Sequence, residues 1–196
     1  MKRAGFFALM FLAAAGTAAA TAGGHHSDAP SAARCGGTLW RLKTFSDTQR
    51  GKVDLVPQQT TIGAIRERKG PGRPPTRRAT AFQLHTWEVP AQITSFKLEA
   101  TGAIRLVLYD HGAYLNAVIP SPSCLLARSR ERAEMIATWQ AFVAKCGKGT
   151  SSWQSLGAIF FVRGVGFWSQ KRTLRGAALN GAELHPVTGL RVVVSC

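Results

Sequence analysis

The chain has 196 residues and a formal net charge of +15, because 25 Lys and Arg residues outnumber 10 Asp and Glu residues. Its hydrophobic fraction of 45% excludes a disordered polyelectrolyte, and no apolar run reaches the roughly 18 residues that indicate a transmembrane helix. This length predicts a single domain.

Residues 1–22 predict a cleaved signal peptide. Lys2 and Arg3 form a positive start, residues 6–15 are uninterruptedly apolar, and Ala20-Thr21-Ala22 is a typical cleavage site. We therefore expect a periplasmic or extracellular protein.

The next segment, residues 23–34, is expected to be a flexible mature N-terminus. Cleavage after Ala22 would expose Gly23-Gly24-His25, whose amine, two amide nitrogens and His25 imidazole can surround Cu(II) or Ni(II) in one plane. Cleavage after Ala20 would remove this site. The sequence indicates no other cofactor.

The rest of the chain alternates predicted strands and turns around one predicted helix. A β-like segment at 39–42 and a helix start at 60–65 precede a basic loop, residues 66–78, that Gly and Pro residues interrupt. Apolar periodicity then predicts, in chain order, a long or bulged strand at 82–98, strands at 104–108 and 115–119, a helix at 130–145, a strand at 158–163 and a strand pair at 183–194.

This order of three strands, a helix and two strand regions predicts the fold class. We expect a mainly β (α+β) domain over residues 35–196, built as an OB-like, five-stranded, partly open barrel. Such barrels bind oligonucleotides or oligosaccharides on their strand faces and loops.

Four cysteines in an exported chain predict two disulfides that staple this barrel. Of the three connectivities, we favour Cys35–Cys124 with Cys146–Cys196. The predicted helix between Cys124 and Cys146 is about 24 Å long, whereas bridged Cα atoms lie within about 7 Å, so their mutual pairing would need a sharp fold-back.

The end of the chain resembles a widespread, uncharacterised set of secreted bacterial proteins. Residues 164–168 (GVGFW) and 180–187 (NGAELHPV) match their G-V-G-F-aromatic strand and their N-x-x-E-[LI]-H-P-[VL] motif. The resemblance implies a small secreted β-barrel and assigns no activity. The chain departs from the pattern at residues 169–172 (SQKR), where the relatives carry an acid followed by His-Gly-Gln. The likeness extends upstream to residues 40–44, 60–62 and 122–124.

The basic loop carries six cations against one anion, and further cations surround the last strands. Such charge can neutralise phosphates, and aromatic side chains can stack on bases, which predicts binding of a polyanion, nucleic acid above all. A solvated basic face, or contact with anionic envelope polymers, is the alternative. The candidate binding residues are Arg66, Arg68, Lys69, Arg73, Arg77, Arg78, Lys171, Arg172, Arg175 and Trp168, with Trp87, Tyr109, Tyr114 and Trp153 as further stacking candidates.

A second set of residues could carry catalysis. Glu183 and His185 project from one face of a predicted strand, with Asn180 just before them, and Asp110 and His111 occupy a hairpin corner. A carboxylate beside an imidazole can perform acid–base chemistry or hold a metal, as in a metal-assisted phosphodiesterase or nuclease. Alternatively, the pair anchors the strand through hydrogen bonds, and Asp110-His111 is turn chemistry.

Overall fold

A computed structural model describes residues 35–171 and 173–196. The predicted signal peptide at 1–22, the flexible segment at 23–34, the His25 metal site and the binding role of Arg172 lie outside these residues. Within the described residues, no helix is both long and apolar enough to cross a membrane.

Strands dominate the described part of the chain. In chain order, the helices and strands are α1 (Trp40–Lys43), β1 (Asp54–Gln59), α2 (Ile62–Arg66), β2 (His85–Leu98), β3 (Ile104–Asp110), β4 (Ala113–Ile119), α3 (Arg132–Cys146), β5 (Gln154–Trp168) and β6 (Ala182–Val194).

The six strands form one sheet that curls into a partly closed ring. Their order is β1-β2-β3-β4-β6-β5, and pairing of β5 with β2 closes the ring. At the short parallel seam between β4 and β6, Asn116 pairs with Glu183 and Ala117 with Leu184. Because α3 lies between the third and fourth strands of the ring in chain order, the prediction of a mainly β, OB-like, partly open barrel is confirmed.

The ring itself has the five predicted strands, β2 to β6, and β1 adds a sixth, parallel strand beside the start of β2. Its sequence, DLVPQQ, contains Pro57, and its Val56 is 69% exposed. Proline is confined mainly to edge strands, and an edge strand with little buried area shows little apolar alternation. The sequence pattern therefore missed β1.

Two other local predictions are corrected. The β-like segment at 39–42 is instead helical in α1, where the Thr44 hydroxyl donates a hydrogen bond to the Trp40 carbonyl at 2.9 Å. The predicted strand pair at 183–194 is instead the single strand β6. Pro186 does not interrupt this strand, because it lies at a register shift, where a strand tolerates a missing N–H.

The helix α3 begins two residues later than predicted, because Glu131 has a left-handed φ of 54° and cannot belong to the first turn. Met135 and Phe142 are buried, as expected for the helix that packs against the barrel. Trp139, predicted to be in the core, is half-buried, and its indole N–H donates to the Gly102 carbonyl at 3.3 Å.

Both predicted disulfides are present. Cys35–Cys124 ties the segment before α1 to the turn after β4, with Cα atoms 5.3 Å apart. Cys146–Cys196 joins the end of α3 to the end of the chain, with Cα atoms 5.2 Å apart. The ring interior is filled by apolar side chains that alternate along the strands, among them Val89, Ile93, Leu106, Leu108, Leu115, Phe160 and Leu184.

Candidate functional site

A cleft of about 600 Å³ opens between α1, the basic loop and the segment after β5. Its walls include residues 71–74 of the basic loop, Leu39 ahead of α1, and residues 169–171 after β5. Its charged lining residues are Lys43, Arg73 and Lys171, and none of its described lining residues is acidic. We call it the basic cleft.

The basic cleft offers charge and hardly any aromatic surface. Arg73 and Lys171 are exposed, and Lys43 is half-buried, with its Nζ 5.8 Å from the centre of the Phe167 ring. Phe167 lines the cleft but is only 1% exposed, so it offers almost no ring face for stacking. The cleft therefore suits anionic groups held by separate positive charges.

One wall of the cleft is held by polar contacts around α1. The Arg78 guanidinium donates to the Leu42 carbonyl at 3.2 Å, and it forms an ion pair with Asp47 at 3.0 Å. The Cys35–Cys124 disulfide fixes the chain just before this wall. Lys43 is thereby positioned by buried contacts, which include those of Arg78 at the end of the basic loop.

The opposite wall depends on Asn180. Its Nδ2 donates to the carbonyl oxygens of Ile65 at 2.9 Å and Arg68 at 3.0 Å, and its Oδ1 accepts from the Ala182 N–H at 3.0 Å. Gly70 packs directly against the Asn180 carbonyl, where a side chain would collide. Asn180 therefore joins the basic loop to the β5–β6 connection.

A chain of four titratable side chains crosses the β4–β6 seam. Glu99 Oε1 accepts from Arg105 Nε at 2.6 Å, Arg105 Nη1 donates to Glu183 Oε2 at 3.2 Å, and Glu183 Oε1 is hydrogen-bonded to His185 Nδ1 at 3.2 Å. We call these residues the buried ion chain. Glu183 and His185 lie on one face of β6 as predicted, while Leu184 lies in the core.

The surroundings of Glu183 and His185 determine the protonation states of these two side chains. Burial raises the pKa of Glu183, but the Arg105 guanidinium and the His185 hydrogen bond together lower that pKa to about 2. Burial lowers the pKa of His185, and Glu183 offsets this only in part, since Lys43 and Arg105 lower it further. At neutral pH, Glu183 is therefore ionised and His185 neutral.

The buried ion chain lies next to the basic cleft. His185 borders a cavity of about 50 Å³ together with Lys43, Glu99 and Ser121, and Lys43 also lines the cleft. The imidazole centre is 5.4 Å from that of the Phe167 ring. Lys43 and Phe167 therefore separate His185, whose side chain is 6% exposed, from the cleft.

The five candidate catalytic residues are not brought together. Asp110 and His111 contact each other at the β3–β4 turn, 2.6 Å apart, with the His111 side chain 94% exposed. Asn180 anchors the basic loop, and Glu183 pairs with His185 alone among the five. In residues 35–171 and 173–196, no three His, Cys, Asp or Glu side chains are grouped to hold a metal ion.

The candidate binding residues divide by exposure. The sequence prediction of an exposed binding role is wrong for Arg78 and Trp168, which are only 3% and 2% exposed. Arg78 pairs with Asp47, and the Trp168 indole N–H donates to the Thr80 hydroxyl at 2.9 Å. Arg68 is half-buried, with its guanidinium 4.2 Å from the centre of the buried Trp87 ring. Arg66 is half-buried, whereas the following are exposed: Lys69, Arg73, Arg77, Lys171 and Arg175.

Sequence reasoning missed Lys43 and Arg105. Lys43 follows the predicted β-like segment at 39–42, and nothing in the local pattern connects it with Arg73 or Lys171. Arg105 had a usable signal, since it is a lone cation within the apolar run of β3. A buried cation of this kind needs a carboxylate partner, and Glu183 on a later strand supplies one.

Comparisons with known proteins add little to this geometry. No protein-family model matches the chain, and no curated protein matches it at a significant level. Among solved structures, it is similar to one described as "Crystal structure of a putative aspartyl-tRNA synthetase from Leishmania major Friedlin", with a TM-score of 0.43 and 9% sequence identity. The match covers 71% of this chain and 21% of that chain, and it is too distant to bear on function.

Proposed function

We propose that this protein binds polyanions, nucleic acid in particular, and that the basic cleft holds their phosphates. The observation that carries the proposal is the set of three cations, Lys43, Arg73 and Lys171, around a cavity of about 600 Å³ whose described lining contains no acid. Cations that neutralise phosphates release counterions, which favours binding without regard to sequence.

The way the cleft is built supports the same proposal. Asn180 tethers the basic loop, and the contacts of Arg78 hold α1, so the cations are presented from walls that are already ordered. Ordering that is complete before binding lowers the entropic cost of association.

We also propose that this binding takes place in the periplasm or outside the cell. The two disulfides, Cys35–Cys124 and Cys146–Cys196, suit an oxidising compartment. The predicted signal peptide at residues 1–22 would deliver the chain there.

The test is the salt dependence of binding to a labelled single-stranded oligonucleotide, followed by fluorescence anisotropy. The variant Lys43→Gln/Arg73→Gln/Lys171→Gln should reduce the slope of log affinity against log salt by about 2, since each phosphate contact on a single strand contributes about 0.7. Raising the salt fourfold should then cost the wild type about 20-fold more affinity than it costs the variant.

The matched control removes three exposed cations that do not line the cleft. Arg128→Gln/Arg132→Gln/Lys148→Gln changes the net charge equally and should leave most of the slope intact. An equal loss in both variants would mean that net charge alone drives binding, against the proposal. Retention of an anionic envelope polymer without binding of any oligonucleotide would favour the envelope alternative.

The metal-assisted phosphodiesterase is the weaker candidate. Both carboxylate oxygens of Glu183 are already engaged, one by Arg105 and one by His185, and the side chains of Glu183 and His185 are almost fully buried. We therefore expect bound DNA and RNA to stay intact with Mg²⁺ or Ca²⁺. Cleavage that disappears in His185→Ala would contradict this expectation.

A further inference from the structure

A second opening, of about 270 Å³, lies on the outer face of β2, β3, β4 and β5. We call it the outer groove. Its lining combines three hydroxyl side chains with one aromatic ring and one cation, and none of its described lining residues is acidic. The lining side chains are those of Thr94, Ser95, Val107, Tyr114, Ser155 and Arg175.

Aromatic rings with neighbouring cations flank this groove. The Trp153 ring centre lies 5.0 Å from Lys97 Nζ and 5.9 Å from Arg175 Cζ. Tyr114 is 41% exposed, and its ring centre is 4.9 Å from that of Tyr109. Unlike the buried Trp87 and Trp168, Trp153 and Tyr114 leave ring surface open to a ligand.

The strand pattern places these side chains on one face. Ser95 and Lys97 are two residues apart on β2, and Ser95 pairs with Ser155 near the start of β5. Trp153 immediately precedes β5, and its ring lies beside Lys97. Residues two apart on a strand share a face. The groove is therefore a polar strip with Trp153 and Lys97 at one end.

The outer groove and the basic cleft are joined by one connection. Lys171 lines the cleft and Arg175 lines the groove, so their Cα atoms lie within about 15 Å along the β5–β6 connection. Gly176, with φ 71°, packs this connection against Val107, where an added Cβ would lie 2.5 Å from a methyl group. From the other side, Arg66 reaches the Tyr114 carbonyl at 3.5 Å.

We propose that the outer groove binds the bases of single-stranded nucleic acid, while the basic cleft holds the phosphates of the same strand. Bases stack on exposed aromatic rings, their edges and sugars bond to hydroxyl groups, and nearby cations neutralise phosphates. A duplex hides its base faces, so the groove selects single strands. This inference rests on the proposed function and adds to it the class of nucleic acid.

The test compares two labelled strands of equal length, oligo-dT and the corresponding abasic deoxyribose-phosphate strand. The wild type should bind oligo-dT at least fivefold more tightly, since stacking of one base adds roughly 5- to 150-fold in affinity. Trp153→Leu should remove most of this preference and leave affinity for the abasic strand unchanged, whereas Trp153→Phe should retain it. Tyr114→Leu and Arg175→Gln probe the groove at exposed positions, where folding is least disturbed.

Phe161→Leu is the matched control, because Phe161 is also half-buried beside a cation, with Arg191 Cζ 3.8 Å from its ring centre, but does not line the groove. Equal affinity for the two strands, or an equal loss in Phe161→Leu, would overturn the inference and leave the phosphate-binding cleft standing. Tighter binding of duplex than of single strands would also overturn it. Binding of neither strand would refute the proposed function together with the inference.

Discussion

Replacing Glu183 by Gln tests the structural role of the buried ion chain. In the fold, the Glu183 carboxylate accepts from Arg105 at 3.2 Å and contacts His185 at 3.2 Å. The pKa of Glu183 falls from 4.5 to about 2, which corresponds to about 3 kcal/mol of folding free energy at neutral pH. Glu183→Gln should therefore lower the free energy of unfolding by about 3 kcal/mol.

The sign of the pH dependence follows from the lowered pKa. Between pH 4.5 and about 2, the unfolded chain binds the Glu183 proton and the folded chain does not. The stabilisation is therefore complete above pH 4.5 and is lost as the pH falls towards 2, with about 2 kcal/mol gone by pH 3. Glu183→Gln lacks this loss, so the difference in stability between wild type and variant should shrink by about 2 kcal/mol between pH 6 and pH 3.

Urea unfolding followed by tryptophan fluorescence, at pH 6 and pH 3 with the disulfides intact, measures this difference. Glu134→Gln, at an exposed carboxylate on α3, is the matched control and should follow the wild-type pH profile. A difference between wild type and Glu183→Gln that stays constant from pH 6 to pH 3 would refute the reasoning. So would a Glu183→Gln variant as stable as the wild type at pH 6.

Two further substitutions test the walls of the basic cleft. Arg78→Met should lower the free energy of unfolding by about 3–5 kcal/mol in urea, because Asp47, 7% exposed, loses its ion-pair partner; a loss below about 1 kcal/mol would place Arg78 on the surface. Asn180→Ala removes the side-chain donor to the carbonyls of Ile65 and Arg68, of which Ile65 keeps the Arg68 N–H at 3.3 Å, and should cost about 1–3 kcal/mol. It should also weaken oligonucleotide binding without changing the salt slope, because no charge is lost, and a flatter slope in anisotropy titrations would contradict a purely positioning role.

The central strands were predictable because their burial repeats every second residue. Ile104, Leu106 and Leu108 on β3 face the ring interior, and the register shift between Ile93 and Ser95 confirms the predicted bulge in β2. The length of α3 also excluded one of the three disulfide connectivities, since it keeps the two flanking cysteines apart. These signals are local or depend on simple lengths.

The missed elements depend on contacts between distant residues. Arg78 looked like another exposed cation of the basic loop, and its buried partner Asp47 lies in a different segment. Trp168 looked like a stacking residue, yet Thr80 and Phe82 on the far side of the basic loop cover it. No local pattern distinguishes such residues from their exposed neighbours.

For the same reason, the sequence predicted only part of the candidate site. The charge of the basic loop and of the β5–β6 connection could be read from composition, but Lys43 joins them only through the turn of α1. Likewise, Glu183 and His185 were paired correctly by strand parity, while Arg105 reaches them from β3. The alternation of residues along a strand predicts which side chains share a face. It does not predict which residue of another strand they contact.

The residues at 164–168 and 180–187 and the residues that line the cleft have different roles in the structure. Gly166 packs directly against the Phe82 carbonyl, Asn180 anchors the basic loop, and Glu183 and His185 belong to the buried ion chain, so these motif residues hold the scaffold. After β5, residues 169–171 line the cleft directly. Exchanging residues 169–172 for an acid followed by His-Gly-Gln removes Lys171 from the cleft and adds a negative charge there. The exchange should therefore weaken oligonucleotide binding while leaving the free energy of unfolding nearly unchanged.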